Sequence, residues 1–149
     1  MKKIILIIAV LIIFVKISYA FEVDLKKIAM IESSNNPLAI SYTKGFDGRL
    51  KPLARGLCQI MPITLQEYNQ RNNTKLVLED LFNAEISKMI SNWYYNKIIP
   101  EYFRAYKIQD TIENRLVAYN WGVGNLRKYL RGEKTLPKET RDYIIKYNK

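Results

Sequence analysis

The chain has 149 residues, with 24 Lys+Arg against 14 Asp+Glu for a formal net charge of +10, no histidine and one cysteine. Without an imidazole, neither a Ser-His-Asp nor a Cys-His nucleophile can be assembled. Zinc sites built from several Cys and His ligands are excluded on the same count. A lone cysteine closes no intramolecular disulfide, so the fold rests on apolar burial and any chemistry falls to carboxylates, hydroxyls, amides or lysine.

Met1-Lys2-Lys3 is a positive start, Ile4 to Val15 is an unbroken apolar run, and Ser18-Tyr19-Ala20 sets small residues where a signal peptidase cuts. A helix over 4–15 would span about 18 Å, short of the ~30 Å hydrocarbon thickness. A signal peptide over 1–20 is therefore expected, with an uncleaved anchor as the other reading. It is followed by one exported domain over 21–149, with no stable membrane span once the peptide is removed. The remaining basic excess is spread along the chain with no run longer than two, so it marks no nucleic-acid arm, and export argues against nucleic acid as a partner.

In chain order, Asp24 is placed to cap a helix carrying Leu25, Ile28, Ala29 and Glu32 on one stripe, ending near Ser33-Ser34-Asn35-Asn36-Pro37. Ile40 to Leu57, with Gly45, Gly48, Pro52 and Gly56, reads as loop with one short hairpin. Pro62 to Gln70 reads as a helix capped through Thr64 or Pro62. Ile86, Met89, Ile90, Trp93 and Lys97 follow helical spacing until Pro100 interrupts. Ile112, Leu116 and Tyr119 mark a further helix that the glycines of Trp121-Gly122-Val123-Gly124 terminate, and Pro137 opens a last helix bearing Tyr143 and Tyr147. These readings sum to a mainly α domain with minimal β.

Glu32 is the residue with most chemistry in it. It follows Leu25 by seven positions, Ile28 by four and Ala29 by three, so its carboxyl shares the apolar face of its own helix. Burial penalises the charged form, and the negative end of the helix dipole acts in the same direction. A carboxyl kept protonated near neutral pH is what general-acid cleavage of a glycosidic bond requires. Taken alone, the same spacing also allows a surface glutamate paired with a lysine.

The residues around Glu32 narrow the choice. Glu32-Ser33-Ser34-Asn35-Asn36-Pro37-Leu38-Ala39-Ile40-Ser41 resembles the opening motif of the lytic transglycosylases of the soluble-transglycosylase (SLT) type. Gly56-Leu57-Cys58-Gln59-Ile60-Met61-Pro62-Ile63-Thr64 resembles their second motif, and Ala118-Tyr119-Asn120-Trp121-Gly122 their third. Leu136-Pro137-Lys138-Glu139-Thr140-Arg141-Asp142-Tyr143-Ile144 is similar to their closing segment. The four occur in order over nearly all of the chain beyond residue 20.

The resemblance implies a lysozyme-like fold, a helical domain with a substrate cleft and a minimal sheet. It implies Glu32 as a single catalytic acid/base, and Ser41, Gln59, Met61, Tyr119 and Asn120 as residues that line the saccharide groove. The activity implied is cleavage of peptidoglycan between N-acetylmuramic acid and N-acetylglucosamine, without water and with 1,6-anhydro-muramyl ends. No cofactor or metal is implied, and no EF-hand spacing occurs. The location implied is the periplasm, and small exported enzymes of this kind accompany secretion or conjugation machines, opening the wall locally. Departures from the pattern are Cys58 in place of Met, Trp121 in place of a small residue, Asn83-Ala84 in place of Asp-Pro, and a lengthened stretch from Tyr42 to Arg55. That stretch contains Asp47, which leaves open a lysozyme-type hydrolase with Asp47 as second carboxylate. A third reading is a non-catalytic wall-binding assembly protein.

Overall fold

A computed structural model describes residues 22–149; the expected signal peptide over 1–20 lies outside the described residues. Helix α1 runs over Leu25–Ser33, and the Asp24 carboxylate accepts from the Lys26 and Lys27 amides at 2.9 and 3.5 Å, which satisfies donors the first turn leaves open. Ser34 and Asn35 then take the left-handed conformation and end it. Ile28 and Ala29 are buried, as the stripe predicts.

Strands β1 (Ile40–Lys44) and β2 (Leu50–Arg55) form the expected hairpin, antiparallel, with Ile40 opposite Arg55, Tyr42 opposite Pro52 and a bulge between Ile40 and Tyr42. Each strand of a two-stranded sheet is an edge, so Pro52 can sit in it without breaking a ladder. Helix α2 covers Pro62–Asn72, two residues beyond the expected end, and its cap differs from expectation. Met61 is the N-cap, Pro62 occupies the first turn, and no side chain caps the helix; Thr64 lies inside. Proline pre-sets the helical φ and lacks an amide that would need a partner, so no capping side chain is required.

A 3-10 turn over Leu78–Phe82 leads to α3 (Ala84–Trp93), whose first amides bond to the Asn83 side chain. Pro100 does not interrupt the helical path. The chain widens into one π turn over Tyr94–Ile98 and continues directly as α4 (Ile99–Tyr106), with Pro100 in the first turn of α4. In the wide turn the Ile99 amide reaches back to the Tyr94 carbonyl, which relieves the crowding a proline ring causes in a regular helix. Of the residues at helical spacing on α3, Ile90 is fully buried and Met89 is exposed.

Helix α5 (Ile112–Trp121) is capped by Thr111, which accepts from the Asn114 amide at 3.1 Å, and ends at Gly122 with φ 88°. Gly124, expected to help terminate it, instead lies in the first turn of a further helix, α6 (Val123–Leu130). The last helix, α7, is Lys138–Tyr147 with Pro137 as its N-cap, one position earlier than expected.

Helix α5 packs against α4, α6 and α7, while α1 packs against α3 and α7. The core between them holds Ile28, Leu81, Ile90, Tyr95, Phe103 and Leu116. The buried Arg115 of α5 makes a two-pronged pair with Asp110 at 2.6 and 2.8 Å and donates to Asn96 Oδ1 at 2.8 Å, which fixes the start of α5 against the π turn. At the other side the Asp24 amide donates to the Tyr147 hydroxyl, and Lys27 Nζ to the Tyr147 carbonyl, each at 2.8 Å. These bonds hold the start of α1 against the end of α7. None of the described helices is long and apolar enough to cross a membrane.

Candidate active site

The sequence motifs are tied to one another by side-chain hydrogen bonds. Ser33, next to Glu32, donates to the Leu57 carbonyl at 2.8 Å, joining the first motif to the second. Tyr119 donates to the Cys58 carbonyl at 2.7 Å, joining the third to the second. Thr140 donates to Asn120 Oδ1 at 2.8 Å, joining the fourth to the third. Tyr143 donates to Glu32 Oε1 at 2.7 Å, which closes the ring back onto the first motif. Two of the acceptors are backbone carbonyls of the tight turn at 56–59, so that turn must be held in one conformation. Gly56 has φ 81°, and a Cβ there would collide with the Leu81 carbonyl oxygen, so only glycine fits. Gln59 takes φ 51°, an unusual conformation for a residue with a side chain.

Inside this ring lies a cleft of about 510 Å³, lined by Glu32, Ser41, Gln59, Met61, Tyr119 and Asn120 with Tyr42, Thr43, Leu53, Glu139, Tyr143 and Lys146 among others. All six residues singled out from the sequence are therefore on one cleft. Their polar groups differ in how far they are already engaged. The Gln59 amide nitrogen donates to the Ala39 and Gly56 carbonyls at 3.2 and 3.0 Å, which leaves its oxygen as the group able to accept from a ligand. Ser41 accepts from the Ala54 amide across the hairpin at 3.1 Å. Asn120 uses its oxygen on Thr140, while its amide nitrogen has no partner among the described residues.

Glu32 lines the cleft and is partly buried. Burial raises its pKa from 4.5 to about 7; the Tyr143 hydrogen bond opposes that rise, and the charge of Glu139 adds to it. Tyr143 in turn lies 3.1 Å, hydroxyl to hydroxyl, from the fully buried Tyr95, whose ring stacks on Tyr119 at 4.2 Å between centroids. Burial pushes the pKa of all three tyrosines well above 10, so they remain neutral hydrogen-bonding groups at any working pH. Cys58 is fully buried, and burial also raises its thiol pKa, which makes it a packing residue rather than a nucleophile.

Tyr143, Thr140, Glu139 and Lys146 were not singled out as site residues from the sequence. The signal was available: the closing segment puts Glu139 and Tyr143 four residues apart, and Lys146 follows three residues on along the same helix. What it lacked was a direction, since the same spacing describes a face buried in the core. Asp47 does not line the cleft. It stands at the hairpin turn, where it accepts from the Arg49 amide at 3.1 Å and faces Lys51 at 3.5 Å with both side chains well exposed. Among the described residues no cluster of three or more His, Cys, Asp or Glu could hold a metal ion.

The cleft, with a partly buried carboxyl held by a tyrosine hydroxyl and a mainly helical frame, has the form expected of a lysozyme-like glycan-cleaving domain. The family model of the transglycosylase SLT domain matches residues 17–141. No curated protein and no solved structure matches the chain. The family match spans the first three motifs of the ring and the fourth as far as Arg141, and the chain belongs to the SLT transglycosylases, enzymes that cleave peptidoglycan as lytic transglycosylases.

Proposed function

We propose that the enzyme cuts the β-1,4 bond from N-acetylmuramic acid to N-acetylglucosamine without water, with Glu32 as acid and then as base. The observation that carries the reading is the Glu32 carboxyl on the cleft, held by the Tyr143 hydroxyl at 2.7 Å, where burial raises its pKa to about 7. Near neutrality a large share of Glu32 is still protonated, as the first step requires, and the carboxylate that serves as base is the one this step leaves behind. The protonated carboxyl passes its proton to the glycosidic oxygen as the bond to the anomeric carbon breaks. The carboxylate so formed keeps the Tyr143 hydrogen bond on Oε1 while Oε2 takes the proton of the muramyl 6-hydroxyl. That oxygen closes on the anomeric carbon and Glu32 is restored. An intramolecular hydroxyl outcompetes water because it is already beside the reacting carbon.

A hydrolase would need a second carboxylate on the far face of the sugar. Asp47 is at the hairpin turn and outside the cleft lining, and Glu139 is on α7, the helix that supplies the hydrogen bond to Glu32. Asp47 is therefore not where the hydrolytic reading needs its second carboxylate. The deciding experiment is digestion of purified peptidoglycan, with mass spectrometry of the soluble products. Anhydro-muramyl ends are expected; reducing ends, heavier by one water, would install the hydrolase.

The reading extends to location and setting. The positive start, apolar run and small residues of 1–20 support export to the periplasm, where the substrate is. The family resemblance supports a role in local wall opening for a secretion or conjugation apparatus. Cell fractionation with a periplasmic marker tests the first, and pull-down with a tagged Glu32→Gln variant from cells assembling such an apparatus tests the second.

A further inference from the structure

A second hollow of about 700 Å³ opens on the other side of α1 from the Glu32 cleft. Its apolar lining includes the buried Ala29 and Leu57 and the exposed Met30, and five lysines line it with no carboxylate side chain among them. Lys26 comes from α1, Lys88 from α3 and Lys146 from α7, so three separate elements bring the same charge to one rim. Lys26 and Lys146 have no ion pair among the described residues, and Lys88 pairs only with the exposed Glu85 beside it. Gathering like charges costs stability unless an outside anion offsets it. Ile31 and Lys146 line both this groove and the Glu32 cleft, so the two are separated by one ridge.

We infer that this groove docks the anionic peptide borne by the wall strand whose glycan lies in the cleft, an inference that rests on the reading of the cleft given above. The muramyl lactyl group carries a short peptide of alanines and carboxylate-bearing residues. Extended, four or five residues reach roughly 14–18 Å at about 3.5 Å each, and the groove adjoins the cleft at the shared Ile31 and Lys146. The peptide's methyl groups suit the small apolar lining and its carboxylates suit the lysine rim. The enzyme then prefers peptide-bearing strands to bare glycan, and the groove acts as a selector for wall that still carries its peptides.

The test compares initial rates on purified peptidoglycan strands and on the same strands stripped of peptide by an amidase. The wild type is set against Lys26→Glu/Lys88→Glu, two residues that do not line the Glu32 cleft. Wild-type kcat/KM is expected to be higher on the peptide-bearing strands. The double variant loses that advantage by about fivefold to tenfold, the scale of two exposed charge contacts, keeps its rate on stripped strands, and the difference shrinks in high salt. Should the Glu pair lower the melting temperature, Lys26→Gln/Lys88→Gln takes its place. Equal wild-type rates on the two substrates, or an equal loss on both in the variant, would overturn the inference. Binding to phosphatidylglycerol vesicles that is lost in the variant, with equal turnover of both strands, would assign the lysines to a lipid surface and overturn it too. Reducing ends in the products would instead overturn the transglycosylation reading, while the rate ratio still reports on the groove.

Discussion

On the helical side of the cleft, hydrogen bonds of 2.7–2.8 Å join α1, the 56–59 turn, α5 and α7, and the groups they connect are largely removed from solvent. On the hairpin side, Tyr42 and Leu50 are exposed, Phe46 is fully so, and the Asp47–Lys51 pair is screened by water. Only Ala54 of the hairpin strands is buried. The contrast separates two jobs that a motif search merges. Residues of the helical wall hold one another at a fixed geometry around Glu32; residues of the hairpin wall present surface to whatever enters.

The largest expected effect breaks the chemistry and leaves the helical wall intact. Glu32→Gln keeps an acceptor for Tyr143 but can neither give nor take the proton, so wall-lytic activity should fall on the order of a thousandfold or more. Stability should move the other way. The folded pKa of Glu32 is raised, so its contribution to stability is full below about pH 4.5 and is lost as pH rises through about 7. The Gln variant lacks that loss. Its melting temperature should match the wild type at pH 4 and exceed it at pH 9, by on the order of 2–3 kcal/mol in stability. Wild-type activity should decline above about pH 7 as the acid ionises.

Next in size is Gly56→Ala, which strikes the turn the ring is fastened to. The left-handed φ and the collision with the Leu81 carbonyl together should cost about 3 kcal/mol or more, measured by urea denaturation. If the variant melts within a degree of the wild type, the turn is not the rigid centre of this wall. The smallest effect belongs to the hairpin. Asp47→Asn should leave turnover within about threefold, the product ends unchanged and stability within about 0.5 kcal/mol. A near-dead Asn variant would erase the distinction between the walls and give Asp47 a chemical role.

Much of the helical wall was legible in the sequence because its signals are local. The Asp24 cap, the placement of Glu32 beside Ile28 and Ala29, and the stop at Gly122 each depend on residues within two turns. The α3–α4 continuation was hidden because Pro100 reads as a stop unless one knows that the turn before it has widened, which is a property of packing around Tyr95 and Ile98. Helix α6 was hidden because Gly122 and Gly124 look alike in sequence, yet only Gly122 takes a positive φ. For the site, the six cleft residues were legible from the resemblance. Their division of labour was not, since nothing local says that Tyr119 donates to Cys58 or that Tyr143 reaches Glu32 across 111 positions.

The bridge between Ile40 and Arg55 gives the hairpin a single narrow base. From Tyr42 to Leu53 the hairpin is mostly exposed, and it joins the body through the Ile40–Arg55 pair and the buried Ala54 beside it. For protein engineering the segment is a replaceable cassette: sequences of other length and composition can be closed on the Ile40–Arg55 pair without re-routing the chain that carries Glu32, Gly56 or Tyr119. Diversity in what these enzymes admit to the cleft can then arise by exchange at one site, while the bonded ring behind it is inherited whole.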